Sequence, residues 1–222
     1  DGMRILDVGC GFGGTIASLN ERFKNLDMTG VNIDPRQLVR ARQTIVPQNG
    51  NQIRFVEGDA CNLQFAPNSF DVVLAVECIF HFADRAAFFA GAAKSLTAGG
   101  RMALSDFVPP AEHVALLEQY YGSPDRATRH TYGRIDVLCS MERYRDLSTN
   151  VGLEVVRSEN ISRHTLPTYP FLRKHLKTWP DPQDAKAFDR STARLEAACN
   201  KGLLDYTIVA FRKPAASMAG AA

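Results

Sequence analysis

The chain has 222 residues, 45% of them hydrophobic and 23% charged, with a formal net charge of +2. That length and composition describe one globular domain able to bury a substantial core. They exclude a charge-driven partner such as nucleic acid or an anionic membrane, and no stretch approaches the roughly 20 apolar residues of a membrane span. Five scattered cysteines, Cys10, Cys61, Cys78, Cys139 and Cys199, form no C-x-x-C pair. They indicate neither a disulfide framework nor a zinc site, and they fit a reducing, cytoplasmic setting.

Strand and helix signals alternate through the first half. The apolar run 3–8 predicts a strand, followed by a glycine-rich loop and a helix over 15–24. A second strand is expected over 28–33, a helix from Pro35 to about Val46, and a third strand over 52–57. Residues 70–76 read as a continuous buried strand. Residues 85–96 read as a helix closed by Gly99-Gly100, before a fifth strand over 101–107. This rhythm predicts an α/β fold: a doubly wound, parallel sheet covered by helices on both faces.

The second half is less regular. Helices are expected over 112–121 and from the Ser140 cap to about Thr149, with Gly152 as the stop. Strands are expected over 153–161 and 203–212. Between them, residues 164–200 hold two helical stretches with Tyr169, Phe171, Trp179 and Phe188, an insertion suited to a lid or a dimer surface. The domain is placed at 1–213, and the small-residue segment 214–222 reads as a flexible tail. Asp1 stands almost at the first strand, so an N-terminal lid segment is expected to be absent from this chain.

Ligands of open α/β sheets bind beyond the carboxyl ends of the strands. Those ends are the loops 9–14, 32–37, 58–62, 77–84 and 106–113. The first, Gly9-x-Gly11-x-x-Gly14, matches a dinucleotide fingerprint. Asp7, two residues ahead, opposes that reading, because a carboxylate repels a pyrophosphate. It suits a ligand with a positive amino group; the plainer alternative is a tight turn with an incidental acid.

The run Leu6-Asp7-Val8-Gly9-Cys10-Gly11-Phe12-Gly13 resembles the first motif of the class I S-adenosylmethionine-dependent methyltransferases. The resemblance covers 3–107 and extends to three later segments. It implies a Rossmann-like sheet with an antiparallel last strand. It also implies S-adenosylmethionine as cofactor, with Asp7, Gly9, Gly11 and Gly13 forming its first contact.

In Thr29-Gly30-Val31-Asn32-Ile33-Asp34-Pro35-Arg36-Gln37, the family's ribose-gripping acid is replaced by Asn32. The departure resembles a subgroup with a neutral residue there and a Gln five positions on, which is Gln37. Ile33 is expected on the adenine face. Asp34 and Pro35 instead read as a helix start, with Gln37 as a capping-box alternative. In Gly58-Asp59-Ala60, Asp59 is expected to accept from the adenine amino group and the Ala60 N–H to meet a ring nitrogen; Asp59 as a turn residue is the alternative. Asp71, in Ser69-Phe70-Asp71, is expected to be structural.

The fourth segment carries Glu77 and His81, four residues apart. A hydroxyl acceptor needs its proton removed before it attacks a methyl group, and histidine suits that task at neutral pH. His81 is therefore the candidate base, and its alternative is packing among Ile79, Phe80 and Phe82. Glu77 and Asp106 are candidates to orient it, and Glu77 also to meet the cofactor's amino group. Small-molecule O-methyltransferases similar to this chain often place a histidine at this position. His113, His130 and His164 are weaker candidates. Cys10 and Cys78 read as small apolar fillers, and no metal-ligand spacing appears.

The expected activity is methyl transfer to a hydroxyl of a small or carrier-protein-bound natural product, as in polyketide-type secondary metabolism. Carbon and nitrogen acceptors on the same fold are the alternatives. A domain of a larger synthase and a homodimer are both compatible with the sequence. A dehydrogenase and a degenerate, non-enzymatic relative rank lower, because the cofactor motifs are intact.

Overall fold

The computed structural model describes residues 1–121, 135–176 and 181–215. It contains a seven-stranded sheet in the order β3-β2-β1-β4-β5-β7-β6. The strands are β1 (Arg4–Val8), β2 (Asp27–Asn32), β3 (Gln52–Glu57), β4 (Phe70–Ala75), β5 (Leu96–Val108), β6 (Glu154–Asn160) and β7 (Asp205–Arg212). β1 pairs in parallel with β2 and β4, as do β2 with β3 and β4 with β5. The sheet is mixed, mostly parallel, with β7 antiparallel, as the resemblance implies. Strand order reverses at β1 and β4, the topological switch point where such sheets bind ligands.

The described residues divide into two compact units. The first comprises 1–105, 145–157 and 209–215, and the second 106–121, 135–144, 158–176 and 181–208.

In the first unit, helices α1 (Gly14–Arg22), α2 (Pro35–Thr44) and α3 (Arg85–Ser95) connect the strands. Each begins for a local reason. Gly13, at φ 81°, turns the chain into α1. Asp34 caps α2 by accepting from the Arg36 N–H, with Pro35 at the first helical position, which is the plainer role expected for it. Asp84 caps α3 through the Ala87 N–H. Ile5, Cys10, Ile16, Leu26, Met28 and Leu38 form one buried cluster. Edge-to-face rings link Phe82, Phe88, Phe89 and Phe211.

Asp71 is structural, as expected. It accepts from the backbone N–H of Arg4 at 2.9 Å, from the Arg4 guanidinium, and from the Thr97 hydroxyl. It thus ties the starts of β1, β4 and β5 together. The Arg4 guanidinium and N–H hold its carboxyl below the usual range.

One expectation fails here. Gly99-Gly100 does not close α3; it lies inside β5, which begins at Leu96. Phe70 pairs with Leu96, and the next pairing is Val72 with Arg101, so the glycines occupy an irregular stretch of the ladder. Gly99 has φ 78°, and its N–H reaches the Lys213 carbonyl at 3.0 Å.

The second unit holds α4 (Val114–Tyr121), α6 (Ser162–Thr165), α7 (Thr168–His175) and α8 (Pro182–Asn200). Helix α5 (Met141–Thr149) begins in it, where the Ser140 hydroxyl accepts from the Arg143 N–H. Phe107 meets Tyr206 edge-to-face at 5.1 Å, and the Tyr169 hydroxyl lies 3.4 Å from Cys199 Sγ. Arg173 pairs with Asp189 at 2.7 Å, joining α7 to α8. His130 and Trp179 lie outside the described residues, as does most of the predicted tail. No helix among the described residues is long and apolar enough to cross a membrane.

Candidate active site

A cleft of about 470 Å³ opens in the first unit, at the carboxyl ends of β1 to β4. Gly9 and Gly11 line it, with Asn32, Ile33 and Gln37, then Asp59 and Ala60, then Glu77 and His81. Residues from four separate sequence segments thus converge on one cavity.

The glycine loop is tied to β2, because the Gly9 and Cys10 N–H groups both donate to the Val31 carbonyl, at 2.8 and 3.0 Å. Gly9 has φ 71°, and a Cβ there would fall 2.7 Å from both Cβ and Sγ of Cys78. No other residue fits this close approach. Gly13 serves differently and is not among the cleft-lining residues. A Cβ on it would lie 2.5 Å from Ile45 Cδ1, so its absence admits core packing behind the loop.

At the end of β2, the Asn32 side-chain amide donates to Gln37 Oε1 at 2.8 Å, and Asn32 Oδ1 lies 3.4 Å from the Gly11 nitrogen. The Gln37 side chain therefore joins Asn32 on the cleft wall. Ile33 is 70% exposed beside this amide pair, an apolar platform in an otherwise polar corner. Asp59 lines the cleft and also shapes it: its Oδ1 accepts from the Cys61 N–H at 2.8 Å and starts the short turn at Ala60. The turn role considered for Asp59 is thus seen, on the cleft wall.

After β4 the chain turns sharply. Glu77 has φ 57°, the left-handed region, and a one-turn helix follows over Ile79–His81. The turn leaves Ile79 and Phe80 buried and His81 exposed on the cleft, its ring edge-to-face with Phe80 at 4.6 Å. Cys78 is buried against the glycine loop and donates to the Val8 carbonyl at 3.1 Å. Cys61, Phe82 and Ala83 also line the cleft. Of these, Cys61 was assigned no place beforehand; its signal is its position immediately after Asp59-Ala60.

Two expected site residues lie elsewhere. Asp7 is 1% exposed and is not among the lining residues; its Oδ2 has no hydrogen-bond partner among the described residues. Burial pushes its carboxyl up to about 7. Asp106 belongs to the second unit, is fully buried, and accepts from the Tyr144 hydroxyl and the Phe107 N–H. Its carboxylate is engaged in packing that unit. His113, also there, has a buried Nδ1 without a hydrogen-bond partner among the described residues. No cluster of three or more candidate metal ligands stands among the described residues.

Neutral amides suit hydroxyl groups, and an exposed aliphatic face suits a flat ring. No Lys or Arg stands among the residues lining the cleft to meet a pyrophosphate.

Residues 6–104 match the family described as a methyltransferase domain. The chain is 28% identical over 218 residues to the 27-O-demethylrifamycin SV methyltransferase of Amycolatopsis mediterranei, covering 96% of this chain and 78% of that protein. It is 26% identical over 184 residues to the norajmaline N-methyltransferase of Rauvolfia serpentina, covering 79% of this chain but only 60% of that relative. Its fold matches mycolic acid cyclopropane synthase CmaA1 with a TM-score of 0.79 at 20% identity, covering 96% of this chain and 78% of that one.

Together the domain match and the relatives support a class I methyltransferase. They point to S-adenosylmethionine as the cofactor, and the chain resembles the enzymes of that class that act on natural products.

Proposed function

We propose that the chain methylates a hydroxyl group of a small or carrier-bound natural product, with His81 as the proton acceptor. The observation that carries this reading is the exposed His81 ring on the same cleft as the glycine loop and the Asn32–Gln37 pair.

S-adenosylmethionine supplies an electrophilic methyl group on a sulfonium, and the reaction moves that methyl to the acceptor oxygen. Gly9 and Gly11 admit the methionine portion, Asn32 and Gln37 take the ribose hydroxyls, and Ile33, Asp59 and Ala60 frame the adenine. The acceptor hydroxyl gives its proton to the His81 imidazole as the oxygen–carbon bond forms. Bound S-adenosylmethionine would supply the methyl group and keep the electron pair of that bond on sulfur as the thioether product, and His81 would pass its proton to solvent. Glu77, on the same cleft, orients the imidazole or stabilises its charged form.

The rifamycin relative, matched across nearly this entire chain, is by name an O-methyltransferase and supports the hydroxyl reading. The test is His81→Ala. Methyl transfer should fall by about 10²–10⁴-fold, with S-adenosylhomocysteine affinity unchanged. Retention of most activity would sink the base assignment and favour a nitrogen acceptor, which needs little help losing its proton. Incubating the enzyme with labelled cofactor and a panel of hydroxylated natural products would identify the acceptor by its gain of label.

A further inference from the structure

We propose that Ser105 is a positioning residue for the cofactor cleft, acting through Glu77. The inference rests on the cleft holding S-adenosylmethionine, as the proposed function has it, and on Glu77 meeting the cofactor's amino group, the second role its sequence position offers.

Among the described residues, Glu77 is one of four non-glycine residues with positive φ, and of these four it alone lines the cleft. The other three, Asn25, Asn49 and Asn68, are asparagines, which tolerate this conformation through short polar side chains. Glutamate has no such compensation, so the surrounding structure must hold it there. Two contacts do so. The Glu77 N–H donates to Ser105 Oγ at 3.0 Å, across the tips of β4 and β5. On the other side, Cys78 is seated against the Cβ-less face of Gly9 and donates to the Val8 carbonyl. The peptide of Glu77 is thus clamped between the end of β5 and the glycine loop.

The clamp has a functional direction. A left-handed residue just after a strand turns the chain out of its extended path. Glu77 stands at that turn and lines the cleft with His81. Ser105 is 7% exposed, and its hydroxyl oxygen accepts the Glu77 N–H just beyond the end of β4. Its hydroxyl oxygen therefore satisfies a donor and fixes the direction of a carboxylate in one contact.

The experiment compares Ser105→Ala, Ser105→Cys, Ser105→Thr, Glu77→Gln and the Ser105→Ala/Glu77→Gln double variant. The readout is the dissociation constant for S-adenosylhomocysteine by calorimetry, beside the melting temperature. Because this needs no acceptor, failure of the hydroxyl reading or of His81 leaves the outcome untouched. Glu77→Gln should weaken binding by about tenfold, and Ser105→Ala by severalfold. Ser105→Thr, which keeps the acceptor oxygen, should restore it. The double variant should bind no more weakly than Glu77→Gln alone, since the clamp matters only through that carboxylate.

Ser105→Cys keeps the volume with a poor acceptor and replaces Ser105→Ala should the latter fail to fold. Unchanged affinity in both Ser105 variants would overturn the proposal. So would a double variant whose loss is the product of the two single losses, or a threonine variant as weak as alanine.

Discussion

Asn32 and Gln37 share a 2.8 Å hydrogen bond between their side-chain amides on the wall of the cofactor cleft. The pair spans the end of β2 and the first turn of α2, and it replaces a single acidic residue with two neutral ones. Asn32→Ala would remove the donor to Gln37 Oε1 and the acceptor facing the Gly11 N–H. S-adenosylhomocysteine should then bind about tenfold more weakly, on the order of 1.5 kcal/mol for a pair of hydrogen bonds. Asn32→Asp should bind at least as well as the wild type, because a ribose hydroxyl donates more strongly to a carboxylate. Calorimetry on both variants checks the pair.

Gly9 and Gly13 are both left-handed, yet their substitutions should separate. Gly13→Ala pushes a methyl group to 2.5 Å from Ile45 and 3.2 Å from Phe55. It should cost roughly 1–3 kcal/mol of stability, while the folded fraction keeps its cofactor affinity. Gly9→Ala strikes the Cys78 side chain at 2.7 Å and displaces the corner that carries Glu77. It should lose cofactor binding even where folding survives. Denaturation and binding measured on the same samples distinguish the two.

Asp7 gives the unliganded protein a particular pH dependence. Its carboxyl is raised by burial to about 7, above the roughly 3.9 of an unfolded chain. Between those values the native state holds a proton that the unfolded state has lost, so this residue's contribution falls as pH rises. The slope is on the order of 1.4 kcal/mol per unit across this window, levelling off above about 7. Asp7→Asn should remove that slope and be more stable than the wild type at pH 8. Urea denaturation at pH 5 and pH 8, with the two proteins compared at each, supplies the check. Equal slopes in both would show that the carboxyl titrates normally.

Asp71 should behave in the opposite sense. Its carboxyl is lowered by the Arg4 contacts, so its stabilisation is present above the ordinary carboxylate range and is lost as pH falls through the lowered value. The side chain is about a third exposed, which limits the effect. Asp71→Asn should lower the melting temperature by a few degrees, consistent with about 1 kcal/mol. Activity per folded molecule should not change, since Asp71 is not among the residues lining the cleft.

The cofactor side of the cleft was legible because its determinants are local. Glycine spacing, the Asp34-Pro35 helix start and the Gly58-Asp59-Ala60 turn each act within a few residues. The expectations that failed depend on distant partners. Gly99-Gly100 resembles a helix stop until Lys213 accepts from Gly99 and draws the pair into β5. Gly13 looks equivalent to Gly9 and Gly11, and only the three-dimensional contact with Ile45 assigns it to packing. Burial, unlike spacing, cannot be read from a motif.

Every residue lining the cleft falls between positions 9 and 83, within the first unit's opening stretch. The inheritance of the methyl donor is therefore compressed into little more than a third of the chain. Substitution, insertion or recombination beyond Ser105 leaves that lining untouched.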